Sequence, residues 1–203
     1  MSYPFFKRLF DIVGSSLGLV LSSPLFLLSA ILVKVSSRGP VLFGHRRCGK
    51  DGTTFSCLKF RTMVVDAERR LEEDEKLREQ HRANGFKLPL RKDPRVTSVG
   101  RFLRVTHLDE LPQLVNVLRG DMSLVGPRPI VEQELALFGD DAQALLTVQP
   151  GIFGAWTAQG KNRAAYPERA RIEVSYVKDR SFSKDLKILA RNLPVLARGQ
   201  GEE

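Results

Sequence analysis

The chain is poor in the residues that build metal and disulfide frameworks. Cys48 and Cys57 are its two cysteines, and its three histidines are scattered. That excludes a disulfide scaffold and the spacing of a tetrahedral zinc site. Both thiols are expected to be small apolar side chains in a reducing compartment. There is no Walker A loop, GxGxxG fingerprint or kinase-like catalytic loop, which excludes those routes to nucleotide binding. Acidic residues are outnumbered, 23 against 32 lysines and arginines, for a formal net charge of +9. The surplus points to an anionic partner and does not choose among nucleic acid, a phosphorylated ligand and an acidic membrane surface. Internal repeats and low-complexity tracts are missing too. A length of 203 residues with 42% hydrophobic side chains suits one folded domain with a real core.

Charge is absent from one stretch. Ile12 to Val33 is 22 residues without an ionisable side chain, about 33 Å as a straight helix and just enough to cross a bilayer. No small-residue cleavage site follows, so the segment does not read as a signal peptide. Its middle is Leu21-Ser22-Ser23-Pro24, where proline lacks an amide proton and crowds the preceding turn, so a bend or break is expected at Ser23-Pro24. The serine hydroxyls can serve the carbonyls so released. Lys7 and Arg8 precede the segment; Lys34, Arg38, Arg46 and Arg47 follow it. Positive residues on both flanks favour both flanks staying cytoplasmic. A broken helix that enters and leaves by one face satisfies both observations better than a kinked span or a buried core helix. Residues 1–36 are therefore read as a re-entrant membrane helix and 37–203 as the cytoplasmic part.

The remainder reads as α+β, mostly helical with a small β-hairpin. Pro40 to Phe60 places apolar strands on either side of Gly49-Lys50-Asp51-Gly52, and Asp-Gly is a strong turn signal. Asp66 to Arg82 is a solvated helix with charge pairs four apart, Glu72/Lys76 and Asp74/Arg78. Leu103 to Leu118 puts Leu108, Leu111, Val115 and Leu118 on one helical face. Further helices are expected over Val131–Leu146, Pro167–Val177 and Ser183–Ala197. The last is amphipathic and suits either an anionic membrane surface or the protein core.

The chemistry concentrates at Asp109-Glu110, just ahead of Pro112. Proline is tolerated in the first turn of a helix, so both carboxylates should sit at a helix N-terminus, where free amides and the dipole favour anions. Adjacent acids there commonly do no more than cap. Here they lie among cations. Arg95, Arg101 and Arg104 come just before and Arg119 after, Lys59-Phe60-Arg61-Thr62 ends a strand, and Gly126-Pro127-Arg128-Pro129 is a rigid turn presenting one guanidinium. Carboxylates among cations suit a diphosphate, with a hard divalent ion offsetting repulsion between anions.

Several motifs occur in order: Asp11 after Arg8-Leu9-Phe10, Ser23-Pro24, Lys59-Phe60-Arg61-Thr62-Met63, Asp93-Pro94-Arg95-Val96-Thr97, Leu108-Asp109-Glu110-Leu111-Pro112-Gln113-Leu114, Asn116-Val117-Leu118, the run Gly120 to Pro129, and Pro150-Gly151-Ile152. Any one is weak, and the ordered set is specific. From about residue 5 to 197 the chain resembles the monotopic phosphoglycosyltransferases, bacterial enzymes of membrane glycoconjugate and exopolysaccharide synthesis, and among them the small single-domain members. The resemblance implies a ping-pong reaction on the cytoplasmic face of a bacterial inner membrane. Asp109 would attack the sugar-linked phosphate of a UDP-sugar, expel UMP and hold the phosphosugar covalently. Polyprenyl phosphate, in bacteria undecaprenyl phosphate, would then take it. Glu110 would assist, with Asp109 and Glu110 as ligands of Mg²⁺. Lys59, Arg61 and Arg104 would bind phosphate, and Pro127, Arg128 and Pro129 the nucleotide.

The chain departs from the family pattern at four places. His107 stands for serine, Phe153 for threonine, Glu173 for aspartate, and Lys161 for an arginine whose bidentate geometry lysine cannot reproduce. The sequence leaves open whether Lys161 or Arg163 takes that arginine's place, and both are counted as phosphate-binding. A membrane-attached adaptor that binds polyprenyl phosphate without chemistry is the competing class, disfavoured by intact acids in a basic site. A glycosyltransferase releasing UDP is the nearest enzymatic rival. A nucleic-acid partner is not expected, because stacking aromatics are not interleaved with the basic residues. Whether copies of the chain form a homo-oligomer is left open by the sequence.

Overall fold

A computed structural model describes residues 3–83, 88–159 and 166–197. The chain opens with α1 (Tyr3–Ser36), followed by the strands β1 (Leu42–Cys48) and β2 (Thr54–Phe60). Next come the helices α2 (Ala67–Glu73), α3 (Glu75–Ala83), α4 (Ser98–Thr106) and α5 (Gln113–Arg119). The strand β3 (Ser123–Val125), helix α6 (Ala142–Leu145) and strand β4 (Gly151–Phe153) lead to α7 (Glu168–Lys178) and α8 (Phe182–Ala197). The architecture is mostly helical with a small antiparallel hairpin, as the sequence implied.

α1 carries Pro24 inside one helix of 34 residues, so the expected division into two helices at Ser23-Pro24 is not seen. The reason is local. Pro24 cannot donate to the carbonyl of Val20, and Ser23 Oγ donates to that oxygen instead, at 2.8 Å. The helix is long and apolar enough to cross a membrane. Leu17, Val20, Leu21, Leu25, Leu28 and Ile31 all stand exposed along it. An uninterrupted apolar face of this kind is stable against lipid rather than water.

α1 is fastened to the rest of the protein at both ends. Near its start, buried Asp11 accepts from Ser123 Oγ (3.1 Å), the Leu124 amide (3.0 Å) and Lys7 Nζ (3.2 Å). Lys7 also pairs with Asp185 of α8 at 3.4 Å, and Tyr3 and Tyr176 donate to that carboxylate. Arg8 donates to the carbonyls of Val117 and Leu118, which places a cation at the C-terminal end of α5. At the other end Val33 packs with Phe60 and Leu103.

The hairpin follows its turn signal. β1 and β2 pair antiparallel from Leu42↔Phe60 to Cys48↔Thr54, and Asp51 and Gly52 take the left-handed conformation between them. The outer edge of β2 is completed by a side chain. Asn116, buried on α5, accepts from the Leu58 amide at 2.9 Å and donates to the Ser56 carbonyl at 2.9 Å.

Elsewhere the sequence pattern was coarser than the structure. The helix expected over Leu103–Leu118 is two, parted at His107, whose φ of 59° is left-handed. The solvated helix over 66–82 is also two, α2 and α3, and Val131–Leu146 is mainly a 3-10 segment (Glu132–Asp141) interrupted at Gly139. β3 and β4 form a parallel pair, Ser123↔Gly151 and Val125↔Phe153, not anticipated at all. α8 buries Asp185, Ile188 and Asn192 and leaves Phe182 and Leu186 exposed, so its inner face packs on the core.

Two outcomes follow from this packing. Replacing Asn116 by alanine strands the part-buried Leu58 amide and Ser56 carbonyl, costing roughly 1–3 kcal/mol. Thermal unfolding in detergent should therefore show a large fall in midpoint, and an unchanged midpoint would remove the edge role. Glu173 on α7 is 1% exposed, and burial pushes its carboxyl up to about 7 from 4.5. The folded state therefore holds the proton more tightly than the unfolded chain. Stability should be highest below about pH 4.5 for this group and fall as pH rises to about 7, on the order of 3 kcal/mol in all. Glu173→Gln should flatten that part of the pH–stability curve; an unchanged slope would count against the burial.

Candidate active site

Cross-strand partners in the hairpin point to one face, so Lys59, Cys57 and Arg47 share a side of β1–β2. That side forms a wall of a cavity of about 380 Å³. His107 and Glu110 from the turn before α5, and Gln113 at its start, line the cavity as well. Arg128 and Pro129 close one end, while Gly14, Gly18 and Ser22 of α1 with Leu114 and Leu124 form an apolar side. The cavity thus joins the long apolar helix α1 to the polar centre of the protein.

The two acids lie on a single 3-10 turn, Leu108–Glu110, and α5 begins three residues after it. The expectation of a helix N-terminus holds in position, with the acids one turn ahead of the α-helix proper. The left-handed His107 redirects the chain between α4 and this turn. Asp109 is buried at 7% exposure. Lys59 Nζ lies 2.9 Å from Glu110 Oε1 and 4.0 Å from Asp109 Oδ2. Burial alone would lower the lysine pKa, but Glu110 and Asp109 outweigh it and the net shift is upward. The ammonium therefore stays charged beside the two acids.

The remaining candidates divide. Arg104 Nε donates to Thr62 Oγ1 at 2.9 Å, which pins α4 to the end of β2. The approach there is close: a Cβ on Gly100 would overlap the Thr62 carbonyl. Arg61 is buried and donates to the carbonyls of Arg38 (2.5 Å) and Ser37 (2.8 Å) just past α1. Lys59, Glu110 and Arg128 line the cavity, and none of Arg61, Arg104 and Asp109 is among its lining residues. Asp93 and Arg95 form a buried two-point pair at 2.8 Å, and desolvation of Asp93 is more than offset by Arg95, which holds that carboxyl below its usual value. Pro127 and Pro129 stiffen the turn that carries Arg128, whose amide donates to Glu173 at 3.4 Å. Lys161 and Arg163 lie outside the described residues.

The sequence reading missed Arg47 as a site residue, although the Asp-Gly turn fixes a register that puts it on the Lys59 face. Among the described residues no three carboxylate, imidazole or thiol side chains converge as a metal cluster. Asp109 and Glu110 are a pair, and a pair fits Mg²⁺, which completes its shell with water and substrate phosphate oxygens.

The bacterial sugar transferase family matches residues 2–199. The chain is 45% identical over 199 residues to the exopolysaccharide production protein ExoY of Rhizobium meliloti, covering 96% of this chain and 87% of that one. It is 43% identical over 201 residues to the undecaprenyl-phosphate galactose phosphotransferase of Salmonella typhimurium, 97% of this chain and 41% of the relative. With the UDP-glucose:undecaprenyl-phosphate glucose-1-phosphate transferase of Klebsiella pneumoniae it shares 39% over 192 residues, 91% of this chain and 38% of the relative. Matched across its described length by that family, the chain is an enzyme of the bacterial sugar transferases.

Proposed function

We propose that this enzyme transfers a sugar phosphate from a UDP-sugar to polyprenyl phosphate, undecaprenyl phosphate in bacteria, through a covalent intermediate on Asp109. The observation that carries the reading is the position of the Lys59–Asp109–Glu110 cluster. Lys59 and Glu110 line a cavity together with residues of α1 and the Arg128 turn, and Asp109 lies next to them with Oδ2 4.0 Å from Lys59 Nζ, so a polar donor and a lipid-borne acceptor can meet at one phosphorus.

In the first step a carboxylate oxygen of Asp109 bonds to the sugar-bearing phosphorus of the donor, and the bond from that phosphorus to UMP breaks. UMP leaves with the electron pair. In the second step a phosphate oxygen of the polyprenyl carrier bonds to the same phosphorus. The bond to Asp109 then breaks, giving a diphosphate-linked lipid and free carboxylate. Dividing one displacement into two separates the two anionic substrates in time. Lys59 stands beside Asp109 and presents a cation to the entering phosphate. Arg128 presents a second from the lining of the same cavity, on a turn fixed by Pro127 and Pro129. Mg²⁺, held by Asp109 and Glu110 with phosphate oxygens, would supply charge neutralisation as the phosphoryl group moves. Arg104 and Arg61 act at one remove, by holding Thr62 and the end of α1.

Residence on the cytoplasmic face of a bacterial inner membrane, with α1 entering and leaving by that face, is part of the same proposal. Two things support it: the positive flanks and the attachment of both ends of α1 to one folded body.

Detergent-purified protein with Mg²⁺, undecaprenyl phosphate and a panel of UDP-sugars should release UMP with one of them. Asp109→Asn should lower that release by at least roughly a thousandfold. UDP in place of UMP would mean an ordinary glycosyltransferase, and no nucleotide from folded protein would favour the carrier-binding adaptor. UMP release untouched by Asp109→Asn would end the covalent assignment. For the topology, cysteines introduced at Ser2 and at Arg38 should both resist an impermeant maleimide in spheroplasts and react once the membrane is opened. Labelling of one position in intact spheroplasts would mean a straight crossing.

A further inference from the structure

Three arginines from separate elements approach one another behind the Lys59 cluster. Arg47 comes from β1 and Arg128 from the Gly126–Pro129 turn, and both line the cavity. Arg169 comes from α7. Its guanidinium is held between two rings, 4.4 Å from the Trp156 centroid and 5.0 Å from that of Tyr166. Its Nε and Nη2 are buried and have no hydrogen-bond acceptor among the described residues. Burial first, then the neighbouring charge of Arg128, draws both Arg47 and Arg169 below the ordinary guanidinium range. Such crowding of like charge is costly unless an anion comes between them.

A resident anion is present, but it is loosely seated. Glu134 lies in the 3-10 segment Glu132–Asp141, with Oε1 3.8 Å from Arg47 Nη1 and Oε2 3.9 Å from Arg169 Nη2. Tyr166 Oη donates to it at 3.5 Å. All three separations exceed the 2.7–2.9 Å of a strong charge-assisted bond, and the carboxylate side chain is 29% exposed. Arg47, by comparison, donates to the Pro129 carbonyl at 3.3 Å, which ties it to the Arg128 turn. The arginines are thus fixed by aromatic faces and backbone, while the carboxylate between them can leave.

We propose that Arg47, Arg128 and Arg169 form the seat for the phosphates of the nucleotide, and that Glu134 is a resident counter-carboxylate displaced when the phosphates arrive. This rests on the donor being a nucleoside diphosphate-sugar. A seat of planar guanidiniums suits phosphate oxygens, which can take two parallel N–H donors from each. Glu134 competes with the nucleotide for the same donors. It therefore weakens binding of the UMP product as well as of the donor, and retakes Arg47 and Arg169 as UMP leaves.

The test is titration of UMP, UDP and uridine into the full-length, detergent-purified chain by calorimetry. Glu134→Gln removes the competing charge while keeping the shape. It should tighten UMP and UDP about tenfold, from two loose ion pairs of roughly half to one kcal/mol each, and leave uridine unchanged. Arg169→Gln should weaken both nucleotides, and Arg169→Lys should restore little, because lysine cannot lie flat between the rings. A gain in affinity cannot come from structural damage, so the sign of the Glu134→Gln effect separates competition from scaffolding. Nucleotide affinity unchanged or weakened in folded Glu134→Gln, with wild type binding normally, would overturn the inference and leave the transferase reading standing. If wild type binds neither uridine nucleotide, the donor assignment and the inference fall together.

Discussion

The amide of Asn116 stands where a third strand would otherwise be. A two-stranded hairpin leaves its outer edge with donors and acceptors unpaired, and Asn116 serves one of each, at Leu58 and Ser56. Because the amide is on α5, the bonds set the position of that helix along β2 as well as its distance. Lys59 is the residue after Leu58, and Glu110 lies six residues before Asn116. The 2.9 Å contact between Lys59 and Glu110 is therefore a consequence of register. A side-chain amide can do this where a backbone strand could not, because it leaves the helix free to begin next to the acids.

The same logic governs α1. Burying Asp11 and Asp185 would be prohibitive for isolated charges, yet Asp11 is shared by Lys7, Ser123 and the Leu124 amide, and Asp185 by Lys7, Tyr3 and Tyr176. Polar contacts need orientation as well as proximity, so they fix the rotation of α1 about its axis, which an apolar surface alone would leave loose. Rotation decides which face of α1 meets the protein. It is the face of Gly14, where an added Cβ would lie 2.6 Å from Leu124, and Gly18, where it would lie 3.3 Å from Leu114. The large apolar side chains of its other face are left exposed.

Local chemistry was legible from the residues, and long-range geometry was not. Asp-Gly fixed the hairpin turn, the charge-free run gave α1, and the acids ahead of Pro112 marked the polar centre. What escaped depended on partners distant in sequence. β3 and β4 have three residues each, too few to show a period, and their pairing relies on Gly126 and Gly151 letting two backbones approach, since a Cβ on either would overlap the other's chain. The helix across Leu103–Leu118 has a continuous apolar face, but His107 takes a left-handed conformation that neither residue type nor pattern demands. At Ser23-Pro24 the sequence correctly marked a lost hydrogen bond, and the substitute donor one residue away kept the helix whole. Arg61 and Arg104 looked like Lys59 and Arg128 in composition. Only the fold separates cations that hold the frame from cations that face the cavity.

That separation bears on how two unlike substrates can share one phosphorus. A nucleotide sugar comes from water and needs cations; a polyprenyl phosphate arrives along lipid and needs an apolar path. In this protein Arg47, Arg128, Lys59, Glu110 and residues of α1 all line one cavity. If the acids sat within the arginine cluster, guanidiniums would pair with them and be lost to the nucleotide. If they sat against α1, desolvation would push their pKa values up and weaken the nucleophile. Lys59 stands beside both acids, 2.9 Å from Glu110 and 4.0 Å from Asp109, while Arg47 and Arg169 face a separate and more distant anion in Glu134. In the proposed reaction this division of charge, an ammonium for the acids and guanidiniums for the phosphates, would let the nucleotide be both bound and released.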